Sequence, residues 1–171
     1  MYQRNVKGLS ITDLLLSLSI LTMLASTAVP ALASLYRKIE LSSVTNSLFS
    51  LTQQARHHAL SQQVRVSVCP LSAVGDCSKD WQQDISVFTD TNGNRRLDEG
   101  DALLNTLSRS KRVHISWSGM GSGNSLHFNR QGVTFVSNGT FSLSNGDKKT
   151  QVAISRLGKP KIVTPKEPPI P

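Results

Sequence analysis

Hydrophobic positions follow three successive patterns along the chain. From Leu9 to Leu35 they are almost continuous: LSITDLLLSLSILTMLASTAVPALASL contains no Lys, Arg, Glu or His, and Asp13 is its only charge. About 20 such residues cross a bilayer as a helix, and Ser and Thr hydroxyls can bond back onto the carbonyls of that helix. Arg4 and Lys7 precede the run, and Arg37 and Lys38 follow it. Further on, Leu41, Val44, Leu48, Leu51, Ala55 and Ala59 recur at steps of three and four, the stripe of an amphipathic helix. Ser42, Ser43, Asn46, Gln53, Arg56 and His57 fill the opposite face. One helix is therefore expected from Leu9 to Gln63, with residues 9–35 suited to a membrane and 36–63 amphipathic. Pro30 lies inside it and is expected to kink or locally melt it.

From Val64 the period becomes two. Val64, Val66 and Val68 alternate with polar residues, as do Ile85 with Val87, and Val113 with Ile115 and Trp117. The same alternation marks Leu126 with Phe128, Val133 with Phe135, Phe141 with Leu143, and Val152 with Ile154. Turn signals separate these runs: Asn92-Gly93, the segment Gly119 to Gly123, Asn138-Gly139 and Asn145-Gly146. Asn-Gly between alternating runs is a strong hairpin signal. The expected fold class is α+β: a long N-terminal helix packed on an antiparallel β-sheet domain over residues 64–163. The segment 164–171 is rich in proline. Pro160, Pro165, Pro168, Pro169 and Pro171 are expected to exclude helix and sheet pairing there.

Composition adds limits. The chain has 171 residues, 38% hydrophobic and only 5% aromatic, so its core is modest and mostly aliphatic. Nineteen Lys and Arg against 11 Asp and Glu give a net charge of +8, which favours polyanionic partners and says nothing about fold. No catalytic set emerges, because His57, His58, His114 and His127 lack metalloprotease spacing and neither a nucleophile elbow nor a P-loop is present. The protein is thus not expected to be an enzyme or to need a cofactor. Asp90, Asn92, Asn94, Asp98 and Asp101 stand at positions 1, 3, 5, 9 and 12 of an EF-hand-type calcium loop. Against that reading, Arg95 occupies the sixth position, where glycine is expected, and position 12 is not Glu. The expectation is a hairpin loop with Asp side chains capping its backbone, and no metal site.

The start of the chain carries its own chemistry. The apolar run begins abruptly after Gly8, a residue that gives a protease open access to the backbone. Cleavage between Gly8 and Leu9 would leave an α-ammonium one helical turn from Asp13, an otherwise costly intramembrane carboxylate. Ala31 and Ala33 also suit the small-residue end of a secretory signal peptide on composition. KGLSITDLLLSLSILTMLASTAVP resembles the class III leader and N-terminal helix of type IV pilins and type II secretion pseudopilins. Arg4, Lys7, Gly8, Leu9, Asp13 and Pro30 match that pattern, with Leu9 for the usual Phe or Met and Asp13 for the usual Glu. The resemblance implies a leader at 1–8, cleavage after Gly8 by the prepilin peptidase, N-methylation of Leu9, and roles in assembly for Asp13 and Pro30.

The segments WQQDISVFTDTNGNRRLDEGDALL, SLHFNRQGVTF and GTFSLSNGDKKTQVAISRLGKPKI narrow the resemblance to the GspH/FimT branch. Trp81, Phe88, Asp90, Asn92, Asn94, Phe128, Gly132, Phe141 and Gly158 carry it. It implies a minor pilin of a type IV pilus, held in the inner membrane with its globular domain in the periplasm and partnered by other pilins. The alternative is a GspH-type pseudopilin of a type II secretion system. In a periplasmic domain Cys69 and Cys77 are expected to pair as a disulfide. FimT-type members carry a Gly-Arg-x-Arg-like stretch implicated in binding DNA during uptake. Here it reads Gly158, Lys159, Pro160, Lys161, and with Arg156 it forms the expected DNA-binding set. Every charged residue from Lys148 to Lys166 is basic. A solvated edge that keeps the last strand from pairing with another sheet is the plainer reading of these charges.

Overall fold

A computed structural model of the chain describes residues 11–121 and 123–163. Gly8 and Leu9, the leader 1–8 and the Pro-rich segment 164–171 lie outside the described residues. The chain divides into two compact units, Met1–Arg37 and Lys38–Pro171.

Helix α1 runs over Ile11–Gln62. In the first unit nearly every side chain of α1 is exposed. The hydroxyls of Ser17, Ser19, Thr22, Ser26 and Thr27 each donate to the carbonyl three residues earlier, at 2.7–3.0 Å. This is how a Ser- and Thr-rich run remains compatible with an apolar surrounding. The helix continues through Pro30, so the local melting expected there does not occur. Proline deletes one rung of the ladder, and the bonded turns on either side hold the helix across the gap.

In the second unit the predicted stripe is buried: Leu41, Leu48, Leu51, Ala55 and Ala59 are joined by Thr45 and Thr52. Each threonine satisfies its hydroxyl on a carbonyl of the helix, Thr45 on Leu41 and Thr52 on Phe49. The helix ends where Gln63 turns to φ 54°. Among the described residues eight strands follow: β1 (Val66–Pro70), β2 (Ile85–Thr89), β3 (Leu103–Leu107), β4 (His114–Gly119), β5 (Leu126–Phe128), β6 (Gly139–Asn145), β7 (Lys148–Ile154) and β8 (Pro160–Val163).

They form two antiparallel four-stranded sheets rather than one, ordered β3-β2-β1-β5 and β4-β6-β7-β8. In the first sheet Val66, Val68, Ile85, Val87, Leu126 and Phe128 share a face by register. In the second, Ile115, Trp117, Phe141, Leu143, Val152 and Ile154 do the same. Eleven of these twelve residues, with the apolar residues of the helix stripe, belong to one core cluster, and the partly buried Trp117 packs against it. Trp81, from the loop after β1, packs at 5.2 Å from the Phe141 ring, and Trp117 lies 4.2 Å from it on the same sheet. Three of the nine aromatic residues thus meet at one place, while Phe88 and Phe128 are buried in the first sheet. Glu40 ties the helix to the second sheet, accepting from Ser110 at 3.0 Å and from Asn145 at 3.2 Å.

Three expectations need correction. Val133 to Phe135 is a turn, not a strand. Thr134 is the buried residue there, because its amide and hydroxyl bond Arg156 and Ser155 carbonyls, while Phe135 is 63% exposed. Leu103–Leu107 is a strand that its pattern conceals, since it is an edge strand with a register shift against β2 at Val87/Phe88. Finally, Pro160 opens β8, paired with Ile154, instead of excluding pairing. Proline is tolerated there because it is the first residue of an edge strand.

Candidate functional site

Asp13 falls in the first turn of α1, where the helix dipole favours a carboxylate. Around it the first unit presents Ile11, Leu14, Leu15, Leu16, Leu18, Ile20 and Leu21, each more than half exposed. An apolar surface that continuous marks an interaction with lipid or with other apolar helices. The helix is long and apolar enough to cross a membrane.

The basic stretch lies in the second unit, on the β7–β8 hairpin. Arg156 and Lys159 occupy its turn and Lys161 lies in β8, opposite Ala153. Gly158 sits at φ 73°, a left-handed conformation that other residues seldom adopt. A β-carbon at this position would come within 2.1 Å of the Gly132 carbonyl oxygen. The glycine of the Gly-basic-x-basic stretch is thus required by the turn and by a close approach of backbone. Arg156, Lys159 and Lys161 are exposed, and among the described residues none forms an ion pair.

Helix α1 supplies two residues that sequence patterning assigned only to its polar face. The Arg56 Nε–H donates to the carbonyls of Gly132 (3.1 Å) and Leu157 (3.3 Å), tying the helix to two turns. His57 is exposed beside it. Gln53, Arg56, His57, Leu60, Lys159 and Pro160 line a groove of about 460 Å³. The basic edge therefore extends onto the helix, an arrangement set by contacts across a hundred residues that no local pattern reveals.

On the other face of the first sheet, Cys69 and Cys77 form the expected disulfide, with Cα atoms 5.5 Å apart. The loop it closes is laced to the segment Asp90–Asp101 by main-chain bonds from Cys77 to Arg95 (3.1 Å) and from Leu97 to Gly75 (2.9 Å). In that segment Asn92 and Asn94 cap backbone amides two residues on, as expected of a hairpin loop. The Asn94 amide, 2.6 Å from Asp98, holds that carboxyl below the ordinary carboxylate range, aided by Asp101 and Asn92 and opposed by desolvation. Behind the loop, burial lowers the His127 imidazole, with Arg95 and Arg65 acting the same way and Asp90 against them.

Comparison with known proteins gives a consistent result. The family model described as "Type II transport protein GspH" matches residues 44–158. The type IV minor pilin FimU of Pseudomonas aeruginosa superposes with a TM-score of 0.55 at 22% identity, covering 77% of this chain and 90% of that one. A second crystal form of FimU gives 0.56 at 20% identity, over 74% and 98% of the two chains. The minor pseudopilin EpsH of the Vibrio cholerae Type 2 Secretion System gives 0.52 at 13% identity, over 71% and 94%. No curated protein matches the chain. The fold is that of these pilin-like proteins, and the family match spans most of the chain: this protein belongs to the GspH family of minor pilins and pseudopilins.

Proposed function

We propose that this protein is a minor pilin of a type IV pilus that enters a helical fibre or its initiation complex and binds DNA through its basic edge. The observation carrying the assembly role is the exposed apolar length of α1 with one carboxylate, Asp13, in its first turn. Lipid covers that surface in the inner membrane, and the helices of other pilins cover it after assembly. Cleavage after Gly8 by the prepilin peptidase, followed by N-methylation of Leu9, leaves an ammonium beside Asp13 or a neighbour's Asp13. An unpaired buried charge costs several kcal/mol. Asp13→Ala is therefore expected to be cleaved normally and to enter pili poorly, as read by immunoblots of sheared fibres. Normal incorporation of that variant overturns the role, and so does a wild-type N-terminus at Met1 or after Ala33 by mass spectrometry.

DNA binding rests on the unpaired Arg156, Lys159 and Lys161 beside the Arg56–His57 groove. Lys in place of Arg keeps phosphate attraction but loses the bidentate fork. Binding is thus expected to be sequence-tolerant and to weaken steeply with salt. Reversal of the three cations to Glu should abolish a gel shift, whereas reversal of Arg95 and Arg96, which stand among Asp90, Asp98, Glu99 and Asp101, should matter less. Retained binding in the triple variant excludes this surface. The second reading, a pseudopilin of type II secretion, is favoured by the family description and the likeness to EpsH. Deletion distinguishes the two, through loss of piliation in one case and loss of exoprotein secretion in the other.

A further inference from the structure

The groove beside the basic edge contains a guanidinium whose donors the fold only partly occupies. Arg56 is half-buried on α1, and its Nε–H donates to the Gly132 carbonyl at 3.1 Å and the Leu157 carbonyl at 3.3 Å. Both acceptors belong to turns with bonds of their own: the Gly132 amide donates to the Asn129 carbonyl and the Gly158 amide to the Ser155 carbonyl, each at 2.8 Å. Gly158 makes room for the contact, since a β-carbon there would stand 3.2 Å from the Arg56 Nε. At Gly132 a β-carbon would press on the Leu60 side chain at 2.8 Å, so that turn is seated directly on the helix. The plane of the Arg56 guanidinium is thereby fixed through one of its five N–H donors. The other four, on the two terminal nitrogens, have no partner among the described residues.

We propose that Arg56 grips a DNA phosphate in this groove. Its two terminal NH2 groups take the two non-bridging oxygens of one phosphodiester, and Lys159, which lines the same groove, adds a second positive charge. The inference rests on the reading of the basic edge as a DNA-binding surface, and names the residue that fixes where the backbone lies on it. A guanidinium offers parallel N–H groups that match such an oxygen pair, whereas an ammonium acts as a point charge. Arg156, Lys159 and Lys161 carry no side-chain bond among the described residues, so each must lose rotamer freedom on binding. Arg56 has already lost much of it in folding, and is the preorganised member of the set. No Asp or Glu is among the described residues that line the groove, so nothing there competes with the phosphate for its donors.

Salt dependence separates a phosphate contact from a purely supporting role. Each cation that neutralises a phosphate of duplex DNA adds about 0.9 to the slope of log K against log salt. A residue that only held the two turns in place would register in the melting temperature and leave that slope unchanged.

The test uses the full chain in micelles of a non-ionic detergent, with a short fluorescent DNA duplex followed by anisotropy over a series of salt concentrations. Arg56→Gln is expected to weaken binding about tenfold or more and to lower the slope by about one. Arg56→Lys keeps the charge, and should hold both the far-ultraviolet spectrum and the slope while losing severalfold in affinity, because the fork is gone. Arg112→Gln is the control and should bind as wild type does. Arg112 pairs at 3.9 Å with Glu40, which lies about 24 Å along α1 from Arg56. Wild-type affinity and slope in both Arg56 variants, while reversal of Arg156, Lys159 and Lys161 abolishes binding, overturns the role of Arg56 and leaves the basic edge standing. A weaker Arg56→Gln with an unchanged slope overturns it too, by reducing Arg56 to a support for the turns. Failure of the wild type to bind the duplex at low salt removes the DNA-binding reading itself, and this inference with it.

Discussion

Gly158 and His127 show how single residues hold this domain. An alanine at 158 would bring a left-handed backbone, costing about 1–2 kcal/mol, and a β-carbon against the immobile carbonyl of Gly132. Gly158→Ala should therefore lower the urea midpoint by more than the conformational term alone. His127 makes a different prediction. Its folded pKa lies below the ordinary value of 6.5, so the unfolded chain binds the proton more readily. Stability should be full above about pH 6.5 and fall as pH drops below it. A flatter profile in His127→Gln, measured by chemical denaturation between pH 5 and 7.5, would identify the group. At this scale the sequence was partly legible. Gly158 stood out by its place in a motif, and the cysteine pair by its spacing and compartment. Arg56 did not, because a polar residue on a helix face looks the same whether it meets water or two carbonyls from distant turns.

Elements were legible where their pattern was a consequence of burial. The helix stripe and six of the strands carry a clear period because one face of each turns its apolar residues into the common core, although in β1 and β2 the polar face is buried as well. Edge elements escaped for the opposite reason. Leu103–Leu107 exposes Leu103 and places Asn105 against Gln54 of the helix, so no alternation survives. Thr134 shows the limit of reading by polarity, since a threonine whose hydroxyl is satisfied can occupy the buried position and leave a phenylalanine outside. The disulfide loop is an element whose role is local. It anchors the backbone of the acidic loop through Cys77, and closing so short a loop stabilises by about 2–3 kcal/mol. Replacing Cys69 and Cys77 with Ser should lower the melting temperature by about 5–10 °C on that account.

Over the whole molecule, the buried hydrophobic residues and the exposed apolar run separate along the chain. Every residue of the core cluster lies from Leu41 onward, while the run that needs a cover ends before Lys38. A chain starting at Lys38 is therefore expected to be soluble without detergent and to keep the far-ultraviolet spectrum of its strands. Precipitation or loss of that spectrum would show that the earlier turns of α1 are needed for the fold. The separation also explains why the two ends of the molecule could be read from different signals, hydropathy in one and turn chemistry in the other.

The order in which the strands enter their sheets has a further effect. The chain completes β3 in the first sheet, crosses to lay down β4 in the second, returns for β5, and only then adds β6, β7 and β8. Neither sheet can be finished before the other has begun, and the segment between them crosses the divide three times. Neither sheet can then open by itself without dragging strands of the other. Amide protons of β5 and β6, although in different sheets, should exchange with solvent through a common opening and at a common free energy.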